Sequence, residues 1–292
     1  MRYHATMHNI TYELPNGIAL TLRKPMLSGY DPVIILCHGF CGIQEVLLPP
    51  FADFFSHSGF CTVTFDYRGF GASAGERGRL VPEMQIEDIL TVVEWIKHQP
   101  GIDKNRIGLW GTSFGGCHVF GAAAKNTDIK CIVSQLAFAD GERIVTGKMS
   151  AEEKAGFITT LDKMTERQRA TGKEMFVGIT RVLNDTESKD FFEANKTRYP
   201  ALDVKIPFLT VKETLQYKPS ANAMDVTCPT LVVVAEKDTV NPPEQGVELY
   251  NAVASDKKQL YIEEKARHYD VYNGENFDRV VSIQTDWFKA HL

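Results

Sequence analysis

A chain of 292 residues, 43% hydrophobic and 24% charged, has the composition of a globular protein and the length for one large α/β domain carrying an insertion. Its formal charge of −5 supplies no basic footprint for nucleic acid or an anionic membrane surface. No apolar run approaches the length of a membrane span, the start at Met1–Ile10 lacks the apolar core of a signal peptide, and a cytoplasmic setting is expected.

Ile10–Leu14 and Ile18–Leu22, separated by Pro15-Asn16-Gly17, predict a hairpin, since Asn-Gly readily takes the positive φ angles that a tight turn needs. Val33–Cys37 is a continuous apolar run, the pattern of a parallel strand buried on both faces, and it ends in the turn His38-Gly39-Phe40-Cys41-Gly42. A helix is expected within 44–58, then a buried strand at Cys61–Phe65 and the loop Asp66–Gly75. Ile86, Ile89, Leu90, Val93 and Ile96 recur at helical spacing and predict an amphipathic helix that stops before Pro100. A strand at Arg106–Trp110, a helix at Ser113–Lys125 and a strand at Lys130–Ser134 follow. This alternation predicts a mostly parallel, doubly wound sheet, whose ligands bind beyond the carboxyl ends of the strands.

The alternation stops near Asp140. Ser150-Ala-Glu-Glu153 is a capping box, Phe157, Ile158, Leu161 and Met164 follow at helical spacing, and Met175, Phe176, Ile179, Val182 and Leu183 predict a further helix. Residues 141–222 therefore read as a helical cap inserted into a core made of 1–140 and 223–292. The core pattern resumes at Thr230–Ala235, which runs into Glu236-Lys237-Asp238; Pro242-Pro243 opens a helix and Lys258–Ile262 is the last strand. After Ala266–Asp270, Phe277, Val280, Val281, Gln284, Trp287 and Phe288 form the apolar stripe of a closing helix, a surface that would also serve a homodimer.

Gly111-Thr112-Ser113-Phe114-Gly115 is a Gly-x-Ser-x-Gly pattern between a strand and a helix, where a sharp turn lifts a serine hydroxyl clear of the sheet. The pattern also occurs at Gly71-Ala72-Ser73-Ala74-Gly75, but in turn and charge chemistry with no helix to follow, so Ser73 reads as a loop serine and Ser113 as the nucleophile. A serine needs a base, and the base an orienting acid. His268 follows the last strand and Asp238 the penultimate one, both at the carboxyl edge, completing the order Ser, Asp, His. The structural alternative for Asp238 is a cap on the helix opened by Pro242-Pro243, and Asp140 is the reserve candidate for the acid. The backbone N–H groups of Phe40 and Phe114 are the candidate oxyanion donors, with His38 shaping the loop. The six cysteines lack metal-ligand spacing and suit a reduced compartment, with Cys41 and Cys117 read as packing thiols. This chemistry needs neither metal nor cofactor.

With these residues in hand, the chain resembles the α/β-hydrolase superfamily along its length outside the insertion. His38-Gly-Phe, Asp66–Gly75, Arg106–Gly116 and His268-Tyr-Asp are similar to the group related to X-Pro dipeptidyl peptidases, cocaine-esterase-like enzymes and fungal polyketide transferases. The resemblance implies a serine hydrolase acting through an acyl-enzyme, with Ser113 as nucleophile, His268 as general base and then acid, Asp238 as orienting acid, and the amides of Phe40 and Phe114 as oxyanion donors. The chain has no room for the additional domains of the dipeptidyl peptidases. The expected substrate is a small, fairly apolar ester or thioester. Two alternatives keep open acyl transfer or carbon–carbon cleavage at the same triad, and a non-catalytic ligand-binding protein on this scaffold.

Overall fold

The computed structural model describes residues 8–25 and 29–292; most of the start read above for a signal peptide, residues 1–7, lies outside them. The strands are β1 (His8–Glu13), β2 (Ala19–Lys24), β3 (Asp31–Cys37), β4 (Cys61–Phe65), β5 (Ile102–Thr112), β6 (Ile129–Gln135), two short ones, β7 (Phe176–Gly178) and β8 (Lys205–Pro207), then β9 (Thr230–Ala235) and β10 (Lys258–Glu263). Eight of them form one sheet in the order β1-β2-β4-β3-β5-β6-β9-β10. β2 runs antiparallel to β1 and β4, and every pair from β4 across to β10 is parallel. The hairpin closes with Gly17 at φ 84° and with the Leu14 N–H donating to the Ile18 carbonyl at 2.9 Å.

Helices α1 (Leu48–His57), α2 (Pro82–Ile96) and α3 (Phe114–Lys125) make the crossovers between the parallel strands. Between β6 and β9 lie α4 (Gly141–Thr146), α5 (Ala151–Thr171), α6 (Thr186–Asn195), α7 (Thr210–Gln216) and α8 (Pro219–Ala223). The chain ends with α9 (Pro243–Ala252) and α10 (Gly274–His291). The apolar strands are covered on both faces. Val33, Ile35 and Cys37 of β3, with Val232 and Val234 of β9, pack with α2 and α3, whereas Ile34 and Leu36, with Leu231 and Val233, pack with Phe51 and Phe55 of α1 and Val281 and Phe288 of α10. Alternate residues of one strand thus enter opposite layers, which is why these strands read as unbroken apolar runs. The stripe of α10 is buried against this second layer.

The capping box forms as expected: Ser150 Oγ accepts from the Glu153 N–H at 3.1 Å, and Glu153 Oε2 from the Ser150 N–H at 2.8 Å. The helix expected from Met175 to Leu183 does not form. Gly172, at φ 68°, ends α5 in the left-handed conformation, and Val177 pairs with Ile206 in the β7–β8 ribbon, so strand pairing overrides a short helical period. A single 3₁₀ turn, Ile179–Arg181, is what remains of it. Among the described residues no helix is long and apolar enough to cross a membrane.

The strand register brings the site loops together. Cys37 lies opposite Gly111, Gly111 opposite Ser134, and Thr112 opposite Gln135, so β3, β5 and β6 end level with one another.

Candidate active site

Ser113 is the hinge between β5 and α3, at φ 56° and ψ −118°, a conformation that side chains other than glycine rarely adopt. Its N–H donates to the Gln135 carbonyl at 2.7 Å, fastening the turn to the neighbouring strand. The small residues around it are required by contact. A Cβ on Gly115 would overlap the carbonyl oxygens of Cys37 and His38, and one on Gly111 would overlap the Gly115 carbonyl. α3 can therefore start directly against the end of β3.

Asp238 stands in the turn after β9. Its Oδ1 accepts from the N–H groups of Val240 and Asn241, both at 2.8 Å, and its Oδ2 is 2.7 Å from His268 Nδ1. The residue at the cap of α9 is Pro242, so Asp238 organises its own turn and holds the histidine. Asp140, the reserve acid, caps α4 by accepting from the Glu142 N–H at 2.9 Å.

A carboxylate only accepts, so Nδ1 of His268 carries the proton and Nε2 is left as the basic nitrogen. The side chains of His268 and Asp238 are 2% and 1% exposed. Burial alone would lower the imidazole pKa; the Asp238 carboxylate, with Glu187 and Asp185 adding to it, reverses this and leaves it above the ordinary histidine value.

The loop after β3 lies against the serine turn. A Cβ on Gly39 would stand 3.2 Å from Ser113 Cβ and 3.7 Å from the Phe114 nitrogen, and the Phe40 and Phe114 rings meet edge to face at 5.6 Å. His38 shapes the loop: its Nδ1 accepts from the Gly39 N–H at 2.6 Å, so its Nε2–H donates to the Val46 carbonyl at 2.7 Å. Burial lowers its pKa to about 4, only partly offset by the Val46 bond, and the ring stays neutral at neutral pH. His118 is buried between Tyr217 and Gln85, with its pKa lowered to about 3 by burial. Cys41 and Cys117 are buried, and burial pushes both thiols well above their ordinary pKa, as packing thiols require.

Ser113 and His268 line one narrow cleft together with Gly39, Phe40, Thr112 and Tyr272. Leu183, Phe191, Phe192 and Leu202, all from the segment between β6 and β9, close its other side with apolar surface. The same segment grips the loops that carry Asp238 and His268. Thr239 Oγ1 donates to Glu187 Oε2 at 2.7 Å, the Tyr269 and Ser188 hydroxyls are 3.0 Å apart, and the Phe191 and Tyr269 rings stack at 4.6 Å. The motifs carry no signal for Glu187 or Ser188, because their role depends on where α6 docks.

A polar chain beneath the cleft also escapes sequence reading. Trp110 Nε1 donates to Gln284 Oε1 (2.9 Å), Gln284 Nε2 to Gln135 Oε1 (2.7 Å) and Gln135 Nε2 to Thr112 Oγ1 (3.1 Å), which lies 2.6 Å from the Tyr272 hydroxyl. These groups are buried, so each needs its partner. Glutamines on an apolar helix face and at a strand end are the one trace of it in the sequence.

The chain is similar to known proteins. The chain is 62% identical to the 31.7 kDa protein of the traX–finO intergenic region of Escherichia coli, over 96% of this chain and 98% of that one. It is 27% identical to the quorum-quenching protein AidA of Acinetobacter baumannii, over 92% and 89% of the two chains, and 26% identical to the thiohydrolase aneE of Aspergillus aculeatus, over 96% and 92%. A polyketide transferase of Penicillium, grgF, is 26% identical over 94% and 93%. The fold matches DcsB, solved in complex with its substrate analogue, with a TM-score of 0.83 at 24% identity over 98% and 99% of the chains. It matches the α/β hydrolase GrgF from Penicillium with a TM-score of 0.79 at 21% identity over 98% and 99%. The family model described as the alpha/beta hydrolase fold matches residues 32–275, and the chain belongs to that family.

Proposed function

We propose that this protein is a serine hydrolase that cleaves an ester or thioester of a small, fairly apolar substrate through an acyl-enzyme, in a cytoplasmic setting. The observation that carries the reading is the buried His268–Asp238 pair, at 2.7 Å, whose histidine lines a largely apolar cleft together with a serine in a left-handed turn. Ser113 Oγ attacks the acyl carbon while His268 Nε2 takes its proton, and Asp238 holds the imidazolium that results. The Phe40 and Phe114 N–H groups face the oxygen on which charge develops, the second at the N-terminus of α3. Collapse expels the alcohol or thiol with the proton from His268, and water attacks the acyl-enzyme with the histidine again as base. Residues 141–222 act as a cap, lending the cleft its apolar side. The relative named a thiohydrolase supports thioester cleavage.

Acyl transfer is the second reading, favoured by the apolar cap side chains that keep water from the serine and by the relative named a polyketide transferase. Intact-mass and peptide mapping after exposure to a fluorophosphonate tests the shared mechanism. One adduct on Ser113, strongly slowed in His268→Ala, is the expected result; an adduct elsewhere, or equal labelling in the variant, refutes it. Product partitioning between water and added alcohols or amines then separates hydrolysis from transfer.

A further inference from the structure

Asn241 is 5% exposed and stands three residues after Asp238, whose Oδ1 its backbone N–H reaches at 2.8 Å. Its side-chain nitrogen lies 2.7 Å from the Leu136 carbonyl oxygen and 3.4 Å from Ser113 Oγ. A backbone carbonyl only accepts, so the atom facing Leu136 must be the amide NH₂ and not the amide oxygen. The NH₂ group has two hydrogens. One is taken by Leu136, and the second faces the serine hydroxyl.

Both acceptors owe their positions to strained backbone. Ser113 and Leu136, at φ 56° and 58°, follow directly on the paired strands β5 and β6, so their turns lie side by side and one carboxamide bridges them. Asn241 thus touches the acid through its backbone and the serine through its side chain.

We propose that Asn241 is a fourth catalytic residue, donating a hydrogen bond to Ser113 Oγ; this rests on the reading of Ser113 as the nucleophile. With a lone pair of Oγ engaged by the amide, the hydroxyl proton is left for His268 Nε2. As that O–H bond breaks and the N–H bond forms, the Oγ electron pair makes the bond to the acyl carbon, and the carbonyl π pair moves to the oxyanion. Asn241 stabilises the charge that passes through Oγ in this step. In deacylation water bonds to the acyl carbon as His268 Nε2 takes its proton; the Oγ–carbon bond then breaks, its electron pair returns to Oγ and His268 gives Oγ the proton, so the same contact assists departure. The 3.4 Å separation is that of a resting site, and such bonds tighten as charge develops.

The test compares wild type, Ser113→Ala, Asn241→Ala and Asn241→Ser by the rate of fluorophosphonate labelling at Ser113, by kcat and KM on p-nitrophenyl butyrate, and by thermal melting. Both Asn241 variants withdraw the donor from Leu136 as well as from Ser113, since one nitrogen serves both, and the melting curve of each separates loss of fold from loss of catalysis. Labelling and kcat are expected to fall about 10- to 100-fold in both Asn241 variants, somewhat less than for loss of a full oxyanion donor, with KM within about twofold and the acid limb of the pH profile unmoved. A folded Asn241 variant that labels at the wild-type rate, or one whose loss lies in KM alone, overturns the proposal while leaving Ser113 as nucleophile. Wild type that fails to label at Ser113, or Ser113→Ala that labels as fast, overturns both.

Discussion

Two stretches of this chain carry the same five-residue pattern, Gly71–Gly75 and Gly111–Gly115, and the structure uses their glycines for opposite purposes. In the first, Gly71 and Gly75 sit at φ 52° and 110°, and the serine between them is internal: Ser73 Oγ donates to the Asp66 carbonyl at 2.5 Å and accepts from the Ala19 N–H at 2.9 Å. The glycines bend the loop, and the serine ties it to the start of β2 and the end of β4. In the second, neither glycine has a positive φ; they are small because strand and helix touch, and the strain falls on Ser113 itself. The serine proposed as nucleophile and the structural one thus differ in where the unfavourable backbone conformation sits.

The widest separation between the two copies is chemical. Ser113→Ala is expected to abolish fluorophosphonate labelling and lower kcat about 10⁴-fold or more, while Ser73→Ala leaves both near wild type and lowers stability by about 1–3 kcal/mol, because the half-buried Ala19 N–H loses its acceptor. Labelling kinetics beside urea melts read both effects; a Ser73→Ala enzyme without activity but with an unchanged melt would erase the distinction. The flanking glycines form the next contrast. Gly115→Ala places a methyl on two backbone carbonyls and should prevent folding to a soluble enzyme, whereas Gly75→Ala meets mainly the strain of its φ, about 1–3 kcal/mol, and should remain active. Expression and melting of the pair decide it.

A subtler difference lies in pH. On the proposed mechanism only the Ser113 copy is served by a titrating base, so kcat/KM should rise with pH through a value above the ordinary histidine value, where His268 loses its second proton. The linked stability has the opposite sense: favouring the protonated ring, it is present in full below the unfolded histidine pKa and is lost as pH rises through the raised one. Besides Asp238, the groups around His268 are Glu187 and Asp185 of the α6 end and the phenols of Tyr269 and Tyr272. Glu187→Gln keeps an acceptor for Thr239 and removes one charge, and should move the acid limb down by a few tenths of a pH unit at most. An upward shift would mean that Glu187 does not act on the base.

Most of the architecture was legible because burial on both faces leaves continuous apolar runs, as at Val33–Cys37 and Thr230–Ala235, and the candidate site residues stand one turn beyond such runs. What escaped depends on contacts distant in the chain. The period from Met175 to Leu183 is overridden by the pairing of Val177 with Ile206, a partner that no local pattern identifies. Asn241 gives no sign of its place, since a carboxamide in a turn is ordinary until the turns of Ser113 and Leu136 are found beside it. Trp110 and Gln284 lie far apart in sequence, and neither spacing nor composition links them.

The contacts of α6 with Thr239 and Tyr269 bear on how proteins of this plan diversify. A segment that only roofed a cleft would behave as an interchangeable module, and a foreign one could be transplanted to accept a new acyl group. Here the segment also grips the neighbours of Asp238 and His268, through Glu187, Ser188 and Phe191. Recombination at the boundaries of 141–222 therefore exchanges part of the scaffold that aligns Asp238 and His268. A chimaera inherits new selectivity with an intact reaction centre only if the incoming segment brings a carboxylate, a hydroxyl and an aromatic ring to the same three places.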